Sequence, residues 1–583
     1  MIDLSDYAKL THIGPDLIEL EIESTDEYER SGISLELGAL LAIEDDAGTR
    51  LVASVQSYRI RDRIGPAEEG PTSPTFTLSL QPMGRMVNGK FTRGGNQITI
   101  PPKRVTLVGK EALTSIYGGP VSPKRLVFSH LVQDPNVEVG VNGDRLFGKH
   151  VAILGSSGSG KSSTVAAVIQ AGIRGSEDGV LNNAHSVMFD LHGEYSSAFP
   201  DARTIQVDDM ALPYWLLTAD ELESMFIESN EQNSHNQVSQ FRRAVILNKR
   251  RHNPSLDPHA RTYDSPVFFD LGEVVNYLSN LNSEVISKIV GEGLPKLTDG
   301  RLITSREDSY FTERLNFIET STANATRASN GPFGGEFNRL LMRLEATLDD
   351  PRLAFILSPR SASGEVYGTA DFAEILSHIT GYSNNAQTKV TIIDLSGVPF
   401  EMLSIVVALV TRLIFTFCFL RKKESIEAGS ELPYLLVYEE AHNYVSRNDA
   451  ARFAPARKAI ERVAKEGRKY GVAVMVVSQR PSEISETVLS QCSNFIVMRL
   501  TNPSDQQYVR RLLPDELSVW TAGLPSLEQQ EAVIIGDAVS MPTLVRVDDI
   551  ADLPASADVP FLQEWRKRWL ELSLKDVTDV WRR

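Results

Sequence analysis

Residues 155–163 read Gly155-Ser156-Ser157-Gly158-Ser159-Gly160-Lys161-Ser162-Ser163 and satisfy the spacing G-x-x-x-x-G-K-[ST]. Glycines at this spacing let backbone N–H groups converge on an anion, and a helix that follows adds the positive end of its dipole. Lys161 would then reach the β- and γ-phosphates of a nucleoside triphosphate, and the Ser162 hydroxyl would sit on Mg2+. A second stretch, 434–440, ends an apolar run in Glu439 and Glu440, followed by Ala441 and His442. Transfer of a phosphoryl group to water needs one acid near the metal and another to orient and polarise the water. Glu439 fits the first role and Glu440 the second. Aspartate is more usual in the first place, so the longer Glu439 would approach the metal's water shell differently.

These residues need a scaffold that brings loop and acids to one edge. Residues 151–154 are a short apolar run that reads as a buried strand, and 163–174 as an apolar-faced helix, giving the order strand, glycine loop, helix. Strands are also expected at 185–190, 389–395, 434–438, 472–477, 494–500 and 531–535. Polar residues at the C-terminal ends of such strands face the ligand crevice of an open parallel sheet. Asp190, His192 and Glu194 are therefore candidates to touch nucleotide, metal or the attacking water. An acid after a strand can equally be a turn or helix cap. Gln479, just past 472–477, stands where it could sense the γ-phosphate. Residues 457–470 read as a strongly basic helix. Its Arg462, Lys465 and Arg468 could reach a phosphate bound to a neighbouring subunit, or form solvent-facing salt bridges with Glu461 and Glu466.

The chain has 583 residues, 42% hydrophobic and 23% charged, with a formal charge of −17. That charge excludes a protein coated in basic surface but leaves room for nucleic acid in a local channel. The two cysteines, Cys418 and Cys492, lie in apolar contexts without metal-ligand spacing, which fits buried thiols in a reducing, cytoplasmic compartment. The opening MIDLSDYAKL is too polar for a secretory signal. Residues 403–420 are apolar enough to cross a membrane, but they contain Arg412 and lie between two expected core strands, so a buried helix explains them better.

Outside the core, residues 1–125 look rich in short strands, at 52–60, 75–82, 98–100 and 105–108, and suggest a small barrel or sandwich. An acidic cluster there, Glu19, Glu21, Glu23, Asp26, Glu27 and Glu29, reads as a solvated face or as a docking surface for a basic partner. Residues 206–385 read as a mostly helical insertion. Its basic cluster Arg242, Arg243, Lys249, Arg250, Arg251 and His252 is a solvated face or a phosphate contact. The tail 551–583 carries Trp565, Trp569 and Trp581 among basic residues, which suits nucleic acid or a terminal helix packed by its tryptophans.

The segments KHVAILGSSGSGKSS, FDLHGEY, LLVYEEAHNYV, EGRKYGVAVMVVSQRPSEIS and SMPTLVRVD together resemble HerA, of the FtsK–HerA group of hexameric DNA-translocating ATPases. The resemblance covers about 135–205 and 386–550, and the amino-terminal part resembles the HAS-barrel of that family in architecture. It implies an α/β chain with a RecA-like core in two parts, 126–205 and 386–550, around the insertion. It also implies a ring of six subunits with ATP and Mg2+ between them, and double-stranded DNA in the central pore, with no membrane. By position, Lys161 and Ser162 are the P-loop pair, Glu439 and Glu440 the acids, and Gln479 the sensor. Asp190, His192 and Glu194 match the family's D-x-H-G-E-Y, and Arg468, then Arg462, is preferred as the arginine offered to the next subunit.

Two functional classes follow. The leading one is an ATP-driven DNA translocase or helicase that partners a nuclease or other effector, in DNA-end processing or in phage defence. The other is a regulatory ring that assembles and controls a bound effector without moving DNA. A conjugation or secretion coupling ATPase would share the core, and the lack of membrane helices at the start counts against it.

Overall fold

The structure, a computed structural model, describes residues 2–581 apart from 7, 23–27, 30–34, 46–47, 62–74, 95–101, 103, 122, 175–182, 228–233, 290–292, 362, 383–387, 425–430, 448–453, 514–520, 557–558 and 570. The expected strand 98–100 and the acids Glu23, Asp26 and Glu27 lie outside the described residues.

Among the described residues the amino-terminal part forms an antiparallel sheet. Its strands are β1 (Ile2–Asp3), β2 (Ala8–Ile13), β3 (Ile18–Ile22), β4 (Leu40–Glu44), β5 (Arg50–Arg61), β6 (Thr75–Val87), β7 (Lys90–Arg93) and β8 (Arg104–Leu107). They pair in the order β1-β8-β4-β5-β6-β3-β2, with β7 on β6. The two ends of that path, β1 and β2, are joined by residues 4–7 alone. A flat sheet of that width would hold its edges about 29 Å apart, whereas the link spans no more than about 18 Å. The sheet is therefore curled, around a core of Ile18, Leu20, Leu41, Ile43, Leu51 and Leu80.

The second sheet carries the loop and the acids. It comprises β9 (Arg125–Leu131), β10 (Glu138–Asn142), β11 (Val151–Leu154), β12 (His185–Asp190), β13 (Arg203–Ile205), β16 (Val390–Asp394), β17 (Tyr434–Tyr438), β18 (Val472–Ser478), β19 (Asn494–Met498), β20 (Glu531–Gly536) and β21 (Thr543–Val547). The order is β10-β9-β21-β20-β19-β11-β18-β17-β12-β16-β13. The run from β19 to β13 is parallel, and β20, β21, β9 and β10 extend it antiparallel. Buried on both faces, the central strands are continuous apolar runs such as VAIL and YLLVY rather than alternating ones. The parallel strands end together, so the residues just beyond them share one edge.

The helix Leu403–Lys423 is long and apolar enough to cross a membrane, yet its residues from Leu403 to Thr411 are all buried in the protein core. Arg412 explains how a charge fits there: its guanidinium donates to both Glu221 carboxylate oxygens, at 3.1 and 2.8 Å, and to Leu216 O at 2.7 Å. Between β13 and β16 the chain differs from the expected mostly helical insertion. It is helical at Ala219–Phe226, Ser234–His252, Leu271–Ser283, Asn338–Leu348 and Phe372–Thr380, but the described residues among 284–337 hold only short elements, among them the antiparallel pair β14 (Val285–Ser287) and β15 (Ala328–Asn330). The polar Asn-, Ser- and Gly-rich sequence there lacks the apolar period of a helix.

In the tail, Trp565, Trp569 and Trp581 are 75%, 94% and 86% exposed, so they do not pack a terminal helix onto the chain. The helices that carry Trp565 and Trp581, Phe561–Trp565 and Leu574–Trp581, are too short to hold themselves in water. The buried pair yields a stability prediction. Arg412→Leu leaves Glu221 buried without its cation and is expected to cost about 3 kcal/mol in urea unfolding. Adding Glu221→Gln should recover part of the loss, because a neutral amide still accepts the Thr218 N–H that Glu221 accepts at 2.8 Å.

Candidate active site

The loop after β11 is fixed from both neighbouring strands. Gly155 N–H donates to Ser478 O at 3.2 Å, just past β18's last pairing, and Ser156 N–H donates to Arg499 O at 2.8 Å, beyond β19. Gly160 has φ +97°, where a side chain is strained, and a Cβ on Gly155 would stand 2.6 Å from Ser159 Oγ and 2.9 Å from Met498 Cβ. The helix Lys161–Arg174 begins at the lysine itself, two residues earlier than its apolar pattern predicts. Ser162 and Ser163 therefore lie in its first turn, whose N–H groups have no intrahelical partners.

Lys161 is only 8% exposed, and its Nζ donates to Ser156 O at 3.1 Å, closing the loop on itself. Burial lowers its pKa, opposed by the charges of Glu440, Glu439 and Glu194. Those carboxyls come from neighbouring strands. Val476 pairs with Tyr438, so Ser478 and Glu440 lie at one level of the sheet. Glu440 has φ +43° and ψ +46°, a left-handed conformation that costs a non-glycine residue about 1 kcal/mol or more. It is held there by Gln479, whose Nε2 donates to Glu440 Oε1 while its Oε1 accepts from Ser157 Oγ at 2.5 Å. On the other side His442 Nδ1 lies 3.2 Å from Ser478 Oγ and 3.3 Å from Glu440 Oε2. One chain of contacts thus runs from the glycine loop through Gln479 to Glu440.

Glu439 is directed inward. Burial, then the charge of Asp190 and a hydrogen bond with it, push its carboxyl up to about 9. Asp190 is fully buried and accepts from the backbone N–H groups of His192, Gly193 and Tyr195 at 3.2, 2.9 and 2.9 Å. It anchors the turn, as the strand-end cap alternative has it. That turn presents Glu194, whose Oε2 accepts from Ser162 Oγ at 3.3 Å, and the exposed His192. Burial raises the Glu194 pKa, and His192 and the Ser162 hydrogen bond pull it back.

Glu439 Oε2 and Glu440 Oε2 are buried without hydrogen-bond partners, although buried polar atoms are normally paired. Two buried carboxyl oxygens without hydrogen bonds, a hydroxyl at Ser162 and a lysine folded onto its own loop fit a divalent cation and a polyphosphate. Arg462 and Arg468 are not brought to this edge. Arg462 lies 3.7 Å from Glu466 and its guanidinium covers the Phe415 ring at 5.0 Å, the salt-bridged alternative, and Lys465 lies 4.0 Å from Glu461. Arg468 is exposed in the short turn Gly467–Tyr470, ahead of β18, and has no ion pair among the described residues. The basic cluster of the insertion is largely neutralised: Arg242 pairs with Glu223, Arg243 with Glu307, and Arg251 and His252 with Glu273. Lys249 is buried and donates to Tyr263 O and Ser265 O, so it is no phosphate contact.

Several neighbours of the loop were not singled out from sequence. Arg499 Nη2 donates to Gly158 O at 3.3 Å, Gln530 N–H donates to Ser159 O at 3.0 Å, and His442 flanks Glu440. Arg499 follows the run NFIVM, so the strand-end rule could have flagged it. That β19 lies directly beside β11 is a matter of topology, not of local sequence.

An acid placed by the sheet two strands away from a phosphate-wrapping loop, and linked to it through a glutamine on the strand between, suits attack of water on a nucleoside triphosphate. The chain is an ATP-hydrolysing enzyme of the P-loop class. Residues 126–414 match the family model described as the central domain of helicase HerA. The chain is 28% identical to the DNA double-strand break repair helicase HerA of Sulfolobus acidocaldarius, over 85% of this chain and 82% of that protein. It is 27% identical to HerA of Saccharolobus solfataricus, over 74% and 70% respectively. The structure of VirB4 of Thermoanaerobacter pseudethanolicus is similar with a TM-score of 0.44 at 12% identity, covering 74% of this chain and 98% of that one. Residues 126–414 thus have the HerA central domain, and the chain is similar to HerA helicases over most of its length.

The raised Glu439 pKa gives a prediction for the nucleotide- and metal-free protein. Between pH 4.5 and about 9 the folded state holds a proton that the unfolded state has released, so stability falls as pH rises. Glu439→Gln removes that term. In urea unfolding, the stability of Glu439→Gln minus that of the wild type should increase by about 1.4 kcal/mol per pH unit within that window. A difference independent of pH would show that Glu439 is ionised in the fold.

Proposed function

We propose that six copies of the chain form a ring that hydrolyses ATP at subunit interfaces and drives double-stranded DNA through its pore. In this reading the ring works with a nuclease or other effector protein in DNA-end processing or phage defence. The relatives named above, DNA double-strand break repair helicases, support the DNA-handling part. The curled amino-terminal sheet is read as a HAS-like barrel, residues 1–125, whose outer face docks the effector. Residues 126–205 and 386–550 are read as the two parts of a RecA-like core, and 206–385 as the insertion. Both cysteines are free and buried, in keeping with a cytoplasmic protein.

In the working site, Lys161 Nζ exchanges Ser156 O for phosphate oxygens, and the N–H groups of 156–163 wrap the phosphates. Ser162 and Glu439 would hold Mg2+, which when bound supplies charge neutralisation across the β- and γ-phosphates. Glu440 orients the attacking water and accepts its proton at the carboxylate, while Gln479 relays the state of the loop to it. Glu194 and His192 line the approach beside Ser162.

The observation that carries the ring is the place of Arg468. It lies before the first residue of β18, whereas the glycine loop meets the far end of that strand. Seven strand residues separate the two, roughly 20 Å. Arg468 therefore suits a neighbour's site rather than its own, with Arg462 the second choice. The test is ATP hydrolysis with and without double-stranded DNA, alongside mass by light scattering. Stimulation by DNA in a hexamer is expected, with Glu440→Gln reducing turnover by 10²-fold or more, on the order of what loss of a positioned catalytic group costs. A DNA-indifferent rate would favour the effector-controlling ring, and full activity in Glu440→Gln would remove Glu440 from the proposed role.

A further inference from the structure

His150 immediately precedes β11 and is 1% exposed. Its φ is +52°, unusual for a residue with a side chain. The ring bridges two elements: Nδ1 accepts from Val474 N–H at 3.0 Å and Nε2 donates to Ala464 O at 3.0 Å. Both contacts fill gaps in backbone pairing. The β11–β18 ladder begins at Val151 opposite Met475, so Val474 N–H lies just outside it. Ala464 is in the last turn of the helix Ala454–Glu466, where carbonyls run out of intrahelical donors. Beyond that point the chain tightens into Gly467–Tyr470, which carries Arg468.

The surroundings keep this joint rigid. A Cβ on Gly467 would lie 2.6 Å from Val472 O and 2.9 Å from Val463 Cγ1, so the turn is pressed onto the strand start. Tyr470 packs against Phe415 and Phe419, with ring centroids 5.7 and 5.0 Å apart. Ser493 N–H donates to Lys149 O at 3.1 Å, tying the entry of β11 to β19. Burial, with a smaller contribution from the Arg468 charge, lowers the His150 pKa to about 4. The ring is thus neutral near pH 7, with the one donor and one acceptor that this bridge needs.

We propose that His150 is a positioning residue for Arg468: it fixes the turn that offers Arg468 to the next subunit onto the strand that feeds its own glycine loop. Loop and arginine of one subunit then move as one body, so the state of one site reaches the site beside it. This rests on the reading of Arg468 as a residue supplied to a neighbour.

The test uses pairs of full-length variants co-expressed with different tags and purified through both. His150→Asn suits the left-handed backbone and keeps an acceptor near the Nδ1 position, but it is too short to reach Ala464 O. His150→Gln keeps a donor near the Nε2 position. His150→Asn rings of unchanged mass are expected to hydrolyse ATP at saturating nucleotide on the order of tenfold more slowly, with His150→Gln between them and the wild type.

The decisive readout is mixing. Paired with Glu440→Gln, which lacks its own site but offers a sound Arg468, His150→Asn should recover to about a quarter of the wild-type rate. That is the chance that a competent site meets a competent neighbour in a random ring of equal parts. Paired with Arg468→Ala it should show no recovery above the rate of His150→Asn alone. Recovery with Arg468→Ala instead would place the defect in the variant's own loop and overturn the proposal, as would recovery with neither partner or an unchanged rate in His150→Asn. If His150→Asn does not assemble, the same mixtures are made with His150→Gln. Failure of Glu440→Gln and Arg468→Ala to restore one another would sink the neighbour-supplied arginine itself, and the proposal with it.

Discussion

Lys161 is buried against Glu194, Glu439 and Glu440, within reach of all their charges, at the edge where the parallel strands end. The carboxyls so placed repel one another, all four groups lose solvation, and the edge tolerates them only because each is tied to something specific. The lysine is held by a loop carbonyl, Glu440 by Gln479, and Glu194 by Ser162. Glu439 avoids the repulsion by keeping a proton. The same crowding leaves one oxygen each of Glu439 and Glu440 without a hydrogen bond, which makes the edge receptive to a cation and phosphates.

The rest of the chain supports that edge. The parallel order with β11 between β18 and β19 makes the glycine loop answer to both neighbours, through Ser478 and Arg499. The long apolar helix Leu403–Lys423 lies in the main core with β17 and β18, and its one interior cation is matched by Glu221. Backbone strain is placed where it holds geometry: Glu440 and His150 both carry positive φ, one at the end of an acid-bearing strand and the other at the start of the loop-bearing strand. Their side chains are both tied, so neither residue relaxes without losing a contact across the sheet.

Much of the site was legible in the sequence because its parts are local. A glycine loop, the lysine inside it and an apolar run ending in two acids are each contiguous, and the strand-end rule links them without knowledge of strand order. The same rule picked out Gln479, Glu194 and His192. It did not separate Asp190, which ties down a turn, from Glu194, which faces Ser162, because both are acids after one strand. Arg499 stands just past a strand end, but its contact with the loop depends on strand order, and His442 and His150 act around a turn or through residues hundreds of positions away, where no local pattern marks them. The basic cluster misled in part: helical spacing put Lys249 with its charged neighbours, but that helix turns Lys249 into the core, where two carbonyls accept its protons.

The sequence by itself determined the chemistry available to this protein: a phosphate-wrapping loop, its lysine and hydroxyl, a pair of acids, and a set of buried parallel strands. Those follow from spacing and apolar runs, which act over a few residues. Only the tertiary structure decided which acid is tied to the loop and which keeps a proton, and that His150 bridges the end of the basic helix to β18. It also decided that the amino-terminal sheet curls and that the tail's tryptophans face solvent. These depend on strand order, on the burial of one charge by another and on hydrogen bonds between distant segments, and none of them exists until the chain has folded.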